Sequence, residues 1–162
     1  MQEHMEETQK NLQFFVDFIA SQGLTKKEAA RLMGVTPQNL HSSLKKDTMK
    51  LSKVQDFIES RGYVMNLSLD RGLERRGSAW VEIQGLIKSN PDMPIKLRRL
   101  SFLDVALKRY GIEKKDIARR LDMSYNGVLR WGVCDDISIE YIFRIAELYG
   151  FEVTIRIVPK AS

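Results

Sequence analysis

Thr25-Lys-Lys-Glu-Ala-Ala-Arg-Leu-Met-Gly-Val-Thr-Pro-Gln-Asn-Leu40 and Glu113-Lys-Lys-Asp-Ile-Ala-Arg-Arg-Leu-Asp-Met-Ser-Tyr-Asn-Gly-Val128 lie 88 positions apart and read as one segment used twice. The register extends in both directions without a gap, so that residues 12–69 fall on residues 100–157. Identities along it include Leu12/Leu100, Phe14/Phe102, Gly23/Gly111, Lys26/Lys114, Ala30/Ala118, Arg31/Arg119, Asp47/Asp135, Glu59/Glu147 and Gly62/Gly150. Glu28/Asp116, Met33/Leu121, Thr36/Ser124, Leu40/Val128 and Leu51/Ile139 are similar pairs. A register held this long argues for one structural unit occurring twice. The divisions are residues 1–69, a connecting segment 70–95 that ends in the loop signal Ser89-Asn-Pro-Asp-Met-Pro94, and residues 96–162.

Each copy carries helical signals in quick succession. Leu12, Phe15 and Ile19 recur at helical spacing over residues 9–21, and Gly23 stops the helix. Thr25-Lys-Lys-Glu28 has the spacing of a capping box, in which the hydroxyl accepts an amide of the first turn while the carboxylate answers the cap's own amide. Gly34 ends this second helix, at a position where a left-handed residue without a Cβ is favoured. Thr36-Pro37 reads as an N-cap followed by proline at the first helical position, and the third helix is expected to reach about Lys45. Ser52 is expected to start a fourth, ending at Gly62. The second copy predicts helices near 97–109, 113–121, 125–132 and 139–149, with Asp122 in place of the turn glycine. The period then changes from 3.6 to 2 in Tyr63–Leu69 and in Phe151–Ile157, which predicts two half-buried strands. Ala79–Gln84 reads as a third strand or a short helix. A lone strand pair buries its apolar face poorly, so the two copies are expected to share one small sheet, with Tyr63–Leu69 antiparallel to Phe151–Ile157. The expected fold class is mostly α with a small antiparallel β element (α+β).

Two short helices joined by a turn of three or four residues, with alanine where they cross, describe helix-turn-helix geometry. Ala29-Ala30-Arg-Leu-Met33-Gly34-Val35-Thr36 to Leu40, and Ile117-Ala118-Arg-Arg-Leu121-Asp122-Met123-Ser124 through Val128 to Trp131, resemble the lambda-repressor-like (XRE-type) helix-turn-helix family. The resemblance covers about 58 residues of each copy. The departures are Ser43 where the second copy has Trp131, which Leu44 is expected to offset, and Asp122 where glycine is usual. The family likeness implies that the third helix of each copy enters the major groove of double-stranded DNA while the second crosses the backbone. It directs Pro37, Gln38, His41 and Ser42 outward from the first copy, and Tyr125, Asn126, Leu129 and Arg130 from the second. Gln38, Ser42, Tyr125, Asn126 and Arg130 are therefore the candidate base contacts: Gln and Asn pair bidentately with adenine, Arg with guanine. Lys26, Lys27, Lys114 and Lys115 begin the second helices, and Lys45 and Lys46 end the third helix of the first copy. These six are the candidate phosphate contacts. For each residue the competing reading is a solvated helical face, and Arg31 can instead pair with Glu28 three residues away.

Charge agrees with a polyanionic partner without demanding one. The 26 Lys and Arg against 21 Asp and Glu leave +5. Residues 1–70 are neutral, with nine of each sign, residues 71–90 carry +2 and residues 91–162 carry +3. Arg71-Gly-Leu-Glu-Arg-Arg76 reads as a basic arm or a solvated hairpin tip. Two histidines, His4 and His41, and the single Cys134 cannot supply an ordinary zinc set. No phosphate loop, nucleophile elbow or paired carboxylates on an apolar face are present, so no catalytic residue, metal, cofactor or small-molecule ligand is evident. Cys134 stands beside Asp135 and Asp136, which disfavours a thiolate, and Trp80 and Trp131 read as packing residues. No apolar run approaches the roughly 18 residues of a membrane span. With a polar, acidic N-terminal stretch and one cysteine, the expectation is a cytoplasmic protein and not an enzyme. The functional expectation is sequence-specific DNA binding by a repressor-type transcriptional regulator, one chain acting as a pseudo-dimer, with self-association through the strands as a variant. A protein-interaction module, antitoxin-like or a phage-type adaptor, is the alternative from another class.

Overall fold

The structure is a computed structural model that describes residues 10–71 and 98–160. Its elements follow in the order α1 (Gln13–Ser21), α2 (Lys26–Met33), α3 (Pro37–Lys46), α4 (Leu51–Ser60), β1 (Tyr63–Asp70), α5 (Ser101–Arg109), α6 (Lys114–Arg120), α7 (Tyr125–Cys134), α8 (Ile139–Tyr149) and β2 (Glu152–Pro159). A 3-10 turn, Lys10–Leu12, leads into α1. The fold is mostly helical with one two-stranded antiparallel sheet, β1 beside β2. The expected third strand or helix at Ala79–Gln84, Trp80, His4 and the tract beyond Arg71 lie outside the described residues.

Two compact units divide the chain differently from the repeat. The first holds the described residues up to Val64 together with Ser138–Ile142 and the residues from Val158 onward. The second holds the described residues of Met65–Ile137 together with Phe143–Ile157.

In the first unit, α1–α4 enclose Leu12, Phe15, Ile19, Leu40, Leu51, Val54 and Ile58, none more than 2% exposed. Phe57 takes the ring of Phe15 edge-on at 5.7 Å, and Phe18 meets both Phe57 and Tyr63 in the same manner. Such pairs add about 0.5–1.5 kcal/mol each beyond the area they bury. The helix expected from Ser52 starts one residue earlier. Leu51 is fully buried in its first turn, and Lys50 precedes it with no side-chain cap. Backbone pairing anchors the segment just before it: Lys50 forms an antiparallel bridge with Ser138, and the Ile139 amide donates to the Met49 carbonyl at 2.8 Å. Ile139 and Ile142 are buried, so the start of α8 is part of this unit's core.

In the second unit, Leu103, Ala106, Ile117, Leu121, Val128 and Ile145 form the helical core. Phe151 lies 5.0 Å from Tyr110 and 6.2 Å from Tyr149. Arg71 donates from Nε to the Tyr149 carbonyl and stacks its guanidinium over Tyr110, so the first residue of the expected basic arm is held by packing.

The Lys160 amide donates to the Gly62 carbonyl at 3.0 Å, and the antiparallel register continued from that pair sets Met65 beside Ile157, Leu67 beside Ile155 and Leu69 beside Val153. Tyr63–Leu69 and Phe151–Ile157 therefore pair within one chain, as their shared periodicity implies. Their burial is unequal. Met65, Leu67 and Leu69 are buried, and so are Ser68 and Asp70 on the opposite face, whereas Val153, Ile155 and Ile157 remain half-buried.

Candidate nucleic-acid interface

Thr25 closes the front of α2 in a full capping box: its hydroxyl accepts from the Glu28 amide at 3.1 Å, and the Glu28 carboxylate accepts from the Thr25 amide at 3.1 Å. These bonds hold the Glu28 carboxyl below its ordinary range, the Thr25 amide contributing most and the Thr25 hydroxyl next, with Arg31 adding a smaller charge effect. At the rear, Gly34 turns left-handed with φ 75°, its amide donating to the Arg31 carbonyl and the Val35 amide to that of Ala30. The second repeat makes the equivalent bonds with a non-glycine residue. Asp122, at φ 55°, donates to the Arg119 carbonyl, and Met123 donates to that of Ala118 at 2.8 Å. A short polar side chain tolerates this region better than most.

The next helix in each repeat is capped alike. Thr36 accepts from the Asn39 amide at 3.1 Å, with Pro37 at the first helical position, and Ser124 accepts from the Gly127 amide at 3.0 Å. Three residues separate α2 from α3 and four separate α6 from α7. Ala30 and Leu40 are buried where the first pair packs, and Ala118 and Val128 where the second does. Both pairs thus share one helix–turn–helix geometry, produced by local hydrogen bonds at matching positions.

Gln38 and His41 are exposed on α3, Ser42 is half-buried, and Lys45 and Lys46 are exposed in its last turn. On α7, Asn126 and Arg130 are exposed, Leu129 is half-buried, and Tyr125 is 42% exposed with the Lys115 ammonium 5.6 Å above its ring. Lys26 and Lys27 are exposed at the start of α2, as is Lys115 on α6. Lys114 differs from its counterpart Lys26. It is half-buried, and its ammonium lies 3.7 Å from where a Cβ on Gly132 would stand. The candidate base and phosphate contacts of each repeat therefore lie on one helix pair, with Lys114 turned toward α7.

Three features of this surface escape a sequence reading. Asp116 is the acceptor of a small network: the Tyr149 hydroxyl donates to it, Arg119 pairs with it, and Arg120 approaches at 3.2 Å. The Tyr149 bond, followed by that of Arg119, holds the Asp116 carboxyl low, while burial first and Asp116 second push the Tyr149 phenol up to about 12. Arg119 and Arg120 are thus partly neutralised by their own helix. The second feature is Asp135, left-handed at the end of α7, which accepts from the Arg99 and Leu100 amides at 2.8 and 3.0 Å while Arg98 donates to the Gly132 carbonyl. Its identity with Asp47 across the repeat was the available signal. The third is Val133, 84% exposed on α7, which alternation with Arg130 does not foretell.

Among the described residues no group of His, Cys, Asp and Glu could hold a metal ion, Cys134 is exposed, and no helix is long and apolar enough to cross a membrane. No family model, curated protein or solved structure matches the chain.

Proposed function

We propose that the chain binds double-stranded DNA in a sequence-specific manner, as a repressor-type regulator of transcription with a lambda-repressor-like helix pair in each repeat. One observation carries the reading. Two helix pairs with the same turn hydrogen bonds and the same N-capped second helix each present an exposed polar face, Gln38 on one and Asn126 with Arg130 on the other. Those side chains match the donor and acceptor pattern of adenine and guanine in the major groove. Lys26, Lys27, Lys115, Lys45 and Lys46 flank them as phosphate contacts, while half-buried Lys114 serves less directly. On this reading the protein acts in the cytoplasm, uses no catalytic residue or cofactor, and places its two helix pairs on two half-sites as one chain.

Gel-shift titration against a pool of random duplexes, at several salt concentrations, tests it. The logarithm of the affinity is expected to fall linearly with the logarithm of salt, because each neutralised phosphate releases counterions. Affinity that stays level from low to moderate salt rejects the reading. Val133 supports a second one: a valine 84% exposed beside half-buried Leu129 and exposed Cys134 is the apolar surface expected of a protein-interaction module of the adaptor or antitoxin type. Val133→Lys separates the two. It raises DNA affinity if the helix faces phosphate, and abolishes partner capture if it faces protein.

A further inference from the structure

The residues that close α3 and open α4, Lys45-Lys-Asp-Thr-Met-Lys-Leu-Ser-Lys53, carry four lysines against one aspartate. Lys45 and Lys46 end α3, Lys50 is the residue before α4, and Lys53 lies in its first turn. All four are exposed. Asp47 is turned the other way: it is buried, accepts from the Leu12 amide and has Glu140 of α8 as its charged neighbour. The solvent side of the tract therefore presents cations.

The same positions of the second repeat hold Val133, Cys134, Ser138 and Tyr141, so all four cations are lost there. Val133 and Cys134 are exposed, and burial does not account for the exchange. The second repeat keeps its cations on α6, where its own fold engages them. Asp116, held by the Tyr149 hydroxyl, pairs with Arg119 and Arg120, Lys114 is turned toward Gly132, and the Lys115 ammonium stands over the Tyr125 ring. Exposed ion pairs are weak and either arginine can leave. The carboxylate stays behind, however, and repels a phosphate. In the first repeat Glu28, in the place of Asp116, is occupied by the Thr25 capping box, and Leu32 stands where Arg120 does.

We propose that the two repeats divide the work of DNA binding. Lys45, Lys46, Lys50 and Lys53 anchor the duplex through its phosphates, and the second repeat supplies sequence preference through Asn126 and Arg130 with little grip on the backbone. The inference rests on the DNA-binding reading and adds which repeat provides affinity and which preference. The anchor then lies in residues 1–70, whose formal charge is zero, and not in residues 91–162, which carry +3. Phosphate contacts hold every sequence alike, whereas base-edge contacts discriminate, so the two contributions separate by experiment.

The test is fluorescence-anisotropy titration of the full chain at a series of salt concentrations, with a duplex selected from a random pool and a scrambled duplex. Each phosphate contact contributes about 0.9 to the slope of log affinity against log salt. Lys45→Gln with Lys46→Gln, Lys50→Gln and Lys53→Gln should reduce that slope by about three to four, and weaken both duplexes by the same factor. Lys114→Gln with Lys115→Gln, Arg119→Gln and Arg120→Gln removes as many cations and should reduce it by about one at most. Val133→Lys with Cys134→Lys, which copies the first repeat, should steepen it by about two. Three results overturn the division while leaving DNA binding in place: a loss from the tract no larger than the loss from α6, a tract variant with an altered ratio of selected to scrambled affinity, or an unchanged slope in the Val133 and Cys134 variant. Wild-type affinity that ignores salt overturns both readings. Should the α6 variant fail to fold, the other two decide, and a tract loss below about one overturns the division equally.

Discussion

Asp47 and Asp135 occupy the same place in the two repeats, each left-handed at the end of its helix and each turned back on the start of the repeat's first helix. Their surroundings differ. Asp135 accepts two backbone amides with Arg98 nearby, whereas Asp47 is 9% exposed, leaves Oδ1 buried without a hydrogen bond and has Glu140 as a charged neighbour. Burial first and Glu140 second push the Asp47 carboxyl up to about 6, against the opposing bond from the Leu12 amide. A folded-state value above the unfolded value means that the folded chain holds the proton more tightly. Stability from this group is then present below about pH 4 and lost as pH rises toward 6. Asp47→Asn keeps the left-handed conformation and removes the charge. It should stabilise by about 1–2 kcal/mol at pH 7 and by nothing measurable at pH 4. Urea midpoints at the two pH values check this, and equal gains at both would show the charge to be irrelevant. For DNA, Arg130→Ala should cost about 1–3 kcal/mol and relax preference at one base position. Lys26→Ala should weaken all duplexes alike and reduce the salt slope by about one. Identical behaviour of the two variants on specific and scrambled duplexes would refute the base-edge assignment.

The helices were legible because their ends are settled locally. Thr25, Thr36 and Ser124 each cap within three residues of themselves, and Gly34 and Asp122 turn through bonds to their own helix. Thr25→Ala should therefore destabilise the first unit by about 1 kcal/mol, read from chemical unfolding. Ala30 is fully buried at the packing of α2 on α3, and Ala30→Leu should cost about 1–3 kcal/mol by forcing the pair apart. The start of α4 was less legible. Its N-terminal backbone is tied through Lys50 and Met49 to Ser138 and Ile139, a pairing between residues nearly ninety positions apart that no local cap signals. The strands fall between these cases: their alternation was visible, but the half-exposure of Val153, Ile155 and Ile157 depends on what packs against them.

For the whole molecule, the proposed DNA-binding function carries the expectation that one chain, with its two helix pairs, serves a two-half-site operator. Native mass spectrometry of the complex with a selected duplex should give one chain per duplex, and the two half-sites should differ, with the Arg130 half more dependent on guanine. Two chains per duplex would instead favour strand exchange or ordinary dimerisation.

The sequence by itself determined the repeat, the order of helices and strands, and the caps at Thr25, Thr36 and Ser124, because these depend on periodicity and on hydrogen bonds within a few residues. Only the tertiary structure decided that the start of α8 joins the first unit, that Lys114 turns toward Gly132, and that Asp116 gathers Tyr149 with two arginines. The physical reason is common to all three. Each depends on the volume or charge of a neighbour supplied by another element, and side-chain packing, unlike a helix cap, is not written in adjacent residues.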